Sequence, residues 1–167
     1  SLGRDLMVRI MVGSRISLLV GIVASVIILV IGSIYGAIAG YFGGKVDMIM
    51  MRIVDIIYTV PDILIIILLS VTLKYPLKDL ADNVKAFSWI NTVGNGLISI
   101  FIVFSLLYWV GMARIVRSQV LTLKEQEYVV AAKALGASHS RIIRKHLLTN
   151  CIGTLIVTTT LQIPSSI

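Results

Sequence analysis

The residues best suited to chemistry are two histidines and one cysteine near the C-terminal end of the chain. His139, His146 and Cys151 have neither zinc-finger nor metalloprotease spacing, so each is interpreted as a solvated or interfacial side chain. The sequence also lacks a Gly-x-Ser-x-Gly elbow and a paired-carboxylate site. It therefore predicts no catalytic residue, no metal site and no cofactor, and it favours transport or scaffolding over enzymatic chemistry.

One stretch faintly resembles a phosphate-binding loop, because Gly44 is followed by Lys45. That loop also requires a glycine where this chain has Ala39, and a serine or threonine where it has Val46. The pattern therefore excludes nucleotide binding by this route.

Charged residues inside an apolar stretch are the remaining candidates for function. Arg52 and Asp55 are three residues apart and are expected to form an ion pair at the membrane boundary. Pro61 and Asp62 lie about ten residues deeper, near the bilayer midplane, where Pro61 is expected to kink the helix. An ionised carboxylate there costs about 2.5 to 3.5 kcal/mol. Asp62 and the adjacent Pro61 are thus predicted to border a water-filled translocation path; alternatively, Asp62 forms a structural hydrogen bond beside the kink.

The elements that must position these residues are membrane helices. Hydrophobic residues make up 57% of the chain and charged residues 14%, whereas soluble domains contain about 25% charged residues. The formal net charge of +7 is therefore interpreted as a report on membrane orientation and not as a nucleic-acid-binding surface.

Four apolar runs approach the length of about 20 residues that crosses a bilayer. They predict a polytopic all-α bundle with spans at about residues 16–40, 50–73, 95–113 and 147–167. Residues 1–15 are typical of an interfacial helix or of an end frayed by truncation. In the first span, Gly32, Gly36 and Gly40 recur every fourth residue, which favours close contact with another helix.

The longest water-compatible segment covers residues 114–146. With four spans, nine basic residues fall on its side of the membrane and six on the other. The positive-inside rule therefore predicts that residues 114–146 are cytoplasmic and that the loop at residues 74–94 is external.

This part of the chain contains the stretches EYVVAAKALGA (residues 127–137) and RIIRKHLLTN (residues 141–150). Together they resemble the EAA loop of the inner-membrane permease subunits of ABC importers. The matching positions are Ala131, Ala132, Gly136 and Leu148, and the departures are Val130, His146 and Thr149. Residues 3–18 and 40–61 are similar to the oligopeptide, dipeptide and nickel permease group, and nearest to its C-type subunit.

The resemblance implies a single type I ABC importer transmembrane domain over residues 1–167, as a fragment that lacks the first and last spans. Such a permease pairs with a second permease subunit, usually a different one, in the plasma or inner membrane. Its EAA loop forms a coupling helix on a cytoplasmic ABC ATPase, and an extracytoplasmic binding protein delivers the peptide. The resemblance assigns ATPase coupling to Glu127, Tyr128, Ala131, Ala132, Leu135, Gly136, Ala137 and Arg141.

The residues of the proposed coupling helix suit that role. Its alanines are small and favour helix, which allows close approach of a partner, and Gly136 permits the turn that ends it.

Three alternatives to the peptide-importer function stay open. The chain could serve an importer of nickel or another small solute, act as a secondary transporter with Asp62 as its ion site, or anchor a soluble partner to the membrane.

Overall fold

A computed structural model of the chain describes residues 2–83 and 95–165. Every regular element in these ranges is helical, which confirms the predicted all-α fold. The helices are α1 (Leu2–Phe42), α2 (Gly44–Thr59), α3 (Asp62–Asn83), α4 (Asn95–Leu107), α5 (Trp109–Leu123), α6 (Glu127–Ala134), α7 (His139–Arg141), a π-helical segment (Ile142–Leu148) and α8 (Ile152–Ser165).

Helix α1 is 41 residues long, which corresponds to about 60 Å at the rise of an α-helix. It carries no proline, so its backbone hydrogen bonds continue through the mixed N-terminal residues into the apolar run. The separate interfacial helix expected over residues 1–15 is therefore replaced by an extension of the first apolar helix.

Helices α2 and α3 meet at an angle of 86°. Val60 between them is extended (φ −82°, ψ 132°), as expected for a residue that precedes a proline. The run predicted as one kinked span over residues 50–73 is thus two helices with a sharp break at Pro61. Helix α3 continues to Asn83, so the first part of the predicted external loop is helical, and residues 84–94 of that loop lie outside the described residues.

Two helical stretches in the described ranges are long and apolar enough to cross a membrane, Leu6–Phe42 and Phe101–Leu123. The bent pair Gly44–Thr59 and Ile63–Leu73 makes a third if it forms one broken span. The apolar helix Ile152–Ile163 is shorter. The stretch ending at Leu123 is shifted along the chain from the predicted residues 95–113, and the four-span arrangement itself stays a prediction.

The main core lies between α1, α5 and the segments that follow α5. It is a cluster of buried side chains from distant parts of the sequence: Ile28, Ala37, Tyr41, Met112, Val116, Val120, Val129, Ile142, Leu147 and Cys151. Since Val129 comes from α6, the short polar helix shares one apolar core with the long apolar helices.

Candidate functional site

The segment of residues 127–141 contains α6, a turn and α7, and its backbone is fixed at each step. Gly136 has a φ of 77°, a left-handed conformation that suits glycine. The N–H of Gly136 donates to the Lys133 carbonyl and that of Ala137 to the Ala132 carbonyl, each at 3.0 Å. These two bonds form a Schellman motif, which satisfies the last carbonyls of α6. The next helix starts at once, since the Ser138 hydroxyl accepts a hydrogen bond from the Arg141 N–H.

Helix α6 has one face in the core and another in solvent. Val129 is 0% exposed and packs with the buried residues of α1 and α5. Glu127, Ala131 and Ala134 share the opposite face and are exposed. Leu135, directly after the helix, is 87% exposed. The face opposite Val129 therefore carries small side chains, with the exposed Val130 beside it and the exposed Leu135 at its end.

The other predicted residues of the 127–141 segment flank this surface. Tyr128 is 40% exposed, and its ring lies 6.4 Å from the ring of His146, measured between centroids. Ala132 and Ala137 are half-buried on the core side, while Gly136 and Arg141 are exposed. The eight predicted coupling residues are near neighbours in the sequence, and the structure shows that they do not share one face.

The C-terminal end of α1 contacts this segment through aromatic and polar side chains. The Tyr41 hydroxyl lies 2.7 Å from Nδ1 of His139. The ring of Phe42 lies 5.8 Å from the His139 ring. From α6, Nζ of Lys133 lies 5.1 Å from the centroid of the Tyr41 ring, within the range of a cation–π interaction. The end of α1 therefore meets the segment on both sides of the Gly136 turn.

The predicted glycine contact lies between α1 and α5. A Cβ atom on Gly36 would overlap the Ala113 carbonyl oxygen, and one on Gly40 would lie 2.8 Å from the Arg117 carbonyl oxygen. Gly32, one turn earlier, is equally crowded by α5. Because each glycine faces backbone or Cβ atoms of α5, the two helices approach more closely than residues with side chains would allow.

An ion pair and a lysine hydrogen bond connect α5 to the region where α1 ends and α2 begins. Arg117 donates through Nε to Asp47 Oδ1 at 2.7 Å and through Nη2 to the second carboxylate oxygen. This bidentate geometry is the strongest arrangement for such a pair. Lys124, at the end of α5, donates from Nζ to the Gly40 carbonyl at 3.0 Å.

The ion pair predicted between Arg52 and Asp55 is wrong. Asp55 pairs with Arg114 of α5, with 2.7 Å between Oδ1 and Nη2. The Arg114 guanidinium also lies 4.5 Å from the centroid of the Tyr58 ring. Arg114 therefore neutralises Asp55 and also contacts the Tyr58 ring.

Pro61 borders a cavity of about 430 Å³ at the break between α2 and α3. Polar lining comes from Thr59, Tyr108 and Gln162, together with apolar residues of α2 and α5. Helix α3 begins at Asp62, but the side chain of Asp62 is not among those that the structure describes. Its predicted place on a translocation path therefore stays a prediction.

Sequence reasoning missed four residues of this site, and each had a weak signal. The sequence predicts a solvated or interfacial role for His139 and assigns no functional role to Tyr41, yet the two side chains contact each other. Asp47 and Arg117 are isolated, opposite charges at the ends of apolar runs. Charges in such positions can pair when the ends of the two runs lie at the same level in the membrane. A separation of 70 positions in the sequence hides that pairing.

Comparison with known proteins defines the class. The family model described as "Binding-protein-dependent transport system inner membrane component" matches residues 31–167. The chain belongs to this family, whose fold is the transmembrane domain of type I ABC importers. The resemblance stated from the sequence is thereby confirmed, as is the location in the inner membrane.

Particular relatives are similar over almost the whole chain. The chain is 45% identical to the oligopeptide transport system permease protein OppC of Bacillus subtilis (strain 168), over 99% of this chain and 48% of that protein. It is 46% identical to the dipeptide transport system permease protein DppC of the same organism, over 99% and 46%. Identity to OppC of Haemophilus influenzae is 43%, over 99% and 47%. The chain thus spans about half the length of the curated relatives it matches.

Proposed function

We propose that the chain is part of a permease subunit of an ATP-driven peptide importer, and that α6 is the helix on which a cytoplasmic ATPase docks. The observation that carries the docking proposal is the contrast between Val129 and Leu135. Val129 is buried in the apolar core of the protein, while Leu135 is 87% exposed a turn and a half further on. Burying such a leucine against a partner contributes about 1.5–3 kcal/mol. The exposed Leu135 would therefore stabilise a complex with a docked protein.

The composition of α6 supports docking through shape. Its exposed face carries Ala131 and Ala134 and a single charge, Glu127. Small side chains let a partner groove approach the helix backbone closely, and a flat surface of this kind needs few polar partners. Val130 stands where the EAA pattern has its glutamate, so contact area takes precedence over that charge here.

The connections of α6 support transmission of movement. Three residues separate it from α5, and the Gln126 N–H donates to the Leu123 carbonyl across this link at 3.1 Å. A displacement of α6 would therefore reach α5 directly, and the close packing at Gly36 and Gly40 would pass it on to α1.

The substrate class and the remaining partners rest on the relatives. Several of them are named oligopeptide or dipeptide transport system permeases, which supports short peptides as the cargo. The family description supports an extracytoplasmic binding protein and an ABC ATPase, and a second permease subunit would complete the path. In this arrangement residues 114–146 are cytoplasmic and ATP is hydrolysed by the partner subunits.

Site-specific photo-crosslinking tests the docking. A benzoylphenylalanine placed at position 135 of the full permease, co-expressed with its ATPase, should give a covalent permease–ATPase adduct. The control is position 161, because Leu161 is 70% exposed but lies on α8. An assembled complex that gives no adduct from position 135, or an equal adduct from position 161, would refute the docking proposal.

Uptake in proteoliposomes tests the transport class. The complete importer should take up radiolabelled trialanine only with ATP on the ATPase side. Uptake without ATP would point to secondary transport, and uptake of nickel-63 in place of the peptide would move the chain to the nickel importers.

A further inference from the structure

The contact between Tyr41 and His139 joins two parts of the molecule that are 98 residues apart in sequence. We infer that Tyr41 and His139 are positioning residues that link the ATPase-docking segment to α1, so that movement of the segment reorients α1 directly as well as through α5. This inference rests on the proposed docking of an ATPase on α6. Neither residue is among the coupling residues that the EAA pattern implies.

On one side of this contact, the end of α1 and the start of α2 are both bound to α5. Asp47 and Arg117 bind the start of α2 to α5, and Lys124 binds the Gly40 carbonyl. At Gly36 and Gly40, α1 lies against the backbone of α5. Tyr41 follows Gly40 directly and is 7% exposed, so its ring lies buried next to this group of contacts.

On the other side lies the 127–141 segment, which is rigid within itself. The Schellman motif at Gly136 fixes the direction in which the chain leaves α6, and His139 begins α7 three residues later. Tyr41 contacts both arms of this turn, because Lys133 of α6 lies over its ring while His139 of α7 meets its hydroxyl. A shift of the segment as one body would therefore act on Tyr41 from both arms.

Two kinds of contact join the segment to the end of α1. Tyr41 shares one buried apolar cluster with Val129 and Ile142. Beside that cluster, an open groove of about 380 Å³ is lined by Tyr41, Phe42, Lys133, Ala137, His139 and Ile142. At this groove the hydrogen bond and the ring contacts connect the two parts, and Tyr41→Phe removes the hydrogen bond while keeping the apolar packing.

The test uses the complete importer in proteoliposomes, with trialanine uptake and ATP hydrolysis measured on the same samples. Tyr41→Phe removes only the hydroxyl, and His139→Ala removes its partner. Both should lower the trialanine transported per ATP hydrolysed by about five-fold, the scale expected from one net hydrogen bond. ATP hydrolysis should continue, because the catalytic subunits are untouched.

Two variants separate this role from a general structural one. His139→Asn places an amide near the position of Nδ1 and can donate or accept, so it should restore the ratio to near the wild-type value. Tyr35→Phe is the matched control, because the Tyr35 hydroxyl donates to the Met50 carbonyl at 2.8 Å on the α2 side of the same helix. The Tyr41→Phe/His139→Ala double variant should be no worse than His139→Ala alone, since the hydrogen bond is already absent in that single variant.

A wild-type ratio in Tyr41→Phe would overturn the inference, and so would an equal loss in Tyr35→Phe or a failure of His139→Asn to restore transport. The crosslink at position 135 tells this failure from failure of the proposed function. If the adduct forms and Tyr41→Phe is neutral, the ATPase docks as proposed but does not act through Tyr41. If the adduct does not form, the docking proposal itself fails.

Discussion

The carboxylate of Asp47 and the guanidinium of Arg117 form a bidentate ion pair between the start of α2 and the middle of α5. The side chain of Asp47 is 12% exposed and that of Arg117 is 34% exposed. A second pair between the same helices, Asp55 with Arg114, is much more open, at 52% and 41%. The two pairs therefore allow the strength of an Asp–Arg ion pair to be compared at two different solvent exposures.

Asp47→Asn should destabilise the permease substantially. It leaves Arg117 partly buried without its charge partner, and removing one partner of a fully buried pair costs about 3–5 kcal/mol. Because Arg117 keeps some contact with water, we expect about 1–3 kcal/mol here. Thermal unfolding of the detergent-solubilised protein measures the effect as a lowered midpoint.

Asp55→Asn is the matched control and should cost less than about 1 kcal/mol, as exposed ion pairs do. A midpoint lowered as far by Asp55→Asn as by Asp47→Asn would show that burial does not set the strength of these pairs.

Gly36→Ala should force α1 and α5 apart. Its added Cβ would overlap the Ala113 carbonyl oxygen, and backbone atoms cannot move aside as a flexible side chain can. Overpacking of this kind costs about 1–3 kcal/mol. Gly153→Ala on α8 is the control, since nothing lies within 4 Å of its added Cβ, and alanine should be neutral or slightly stabilising there. Equal unfolding midpoints for the two variants would contradict the close approach of the helices.

Substitution of Leu135 should weaken binding of the ATPase, whereas substitution of Val129 should lower the stability of the permease. Leu135→Ser removes an exposed side chain, so the unfolding free energy should change by less than about 0.5 kcal/mol. Binding of the ATPase should weaken by about ten-fold or more, as for a central interface residue. Val129→Ala instead leaves a cavity in the core and should cost about 1–3 kcal/mol of stability. Titration of the permease with purified ATPase, beside the thermal midpoints, separates the two effects.

Local patterns in the sequence predicted the local features of this fold. The four-residue spacing of Gly32, Gly36 and Gly40 predicts a smooth helix face, and Pro61 marks the break because it lacks an N–H. Gly136 indicates the end of α6, since a turn that follows a helix needs a left-handed residue. Each of these depends on neighbours within one or two turns.

Partners across the bundle could not be predicted in the same way. The spacing of Arg52 and Asp55 gave a plausible local pair, but the contact with Arg114 depends on how α2 lies against α5. Pro61 indicates a break in the helix, but the angle of 86° between α2 and α3 could not be read from the sequence. His139 became part of the site only because the Gly136 turn carries it back to Tyr41.

Gly136→Ala tests whether the shape of the 127–141 segment matters for coupling. The φ of 77° costs an L-amino acid about 1–2 kcal/mol, and the added Cβ meets no atom within 4 Å. The strain is therefore purely in the backbone, and Gly136→Asn should cost less because asparagine tolerates this conformation better.

If the turn sets the direction of α7 relative to α6, peptide transported per ATP should fall in the order Gly, Asn, Ala at position 136. Bulky Gly136→Leu should uncouple transport from ATP hydrolysis while the protein still inserts in the membrane. Parallel assays of trialanine uptake, ATPase activity and membrane content provide the comparison. Equal ratios for the glycine and alanine forms would mean that the α6–α7 geometry does not limit coupling, because the backbone strain would then have been absorbed without moving His139 away from Tyr41.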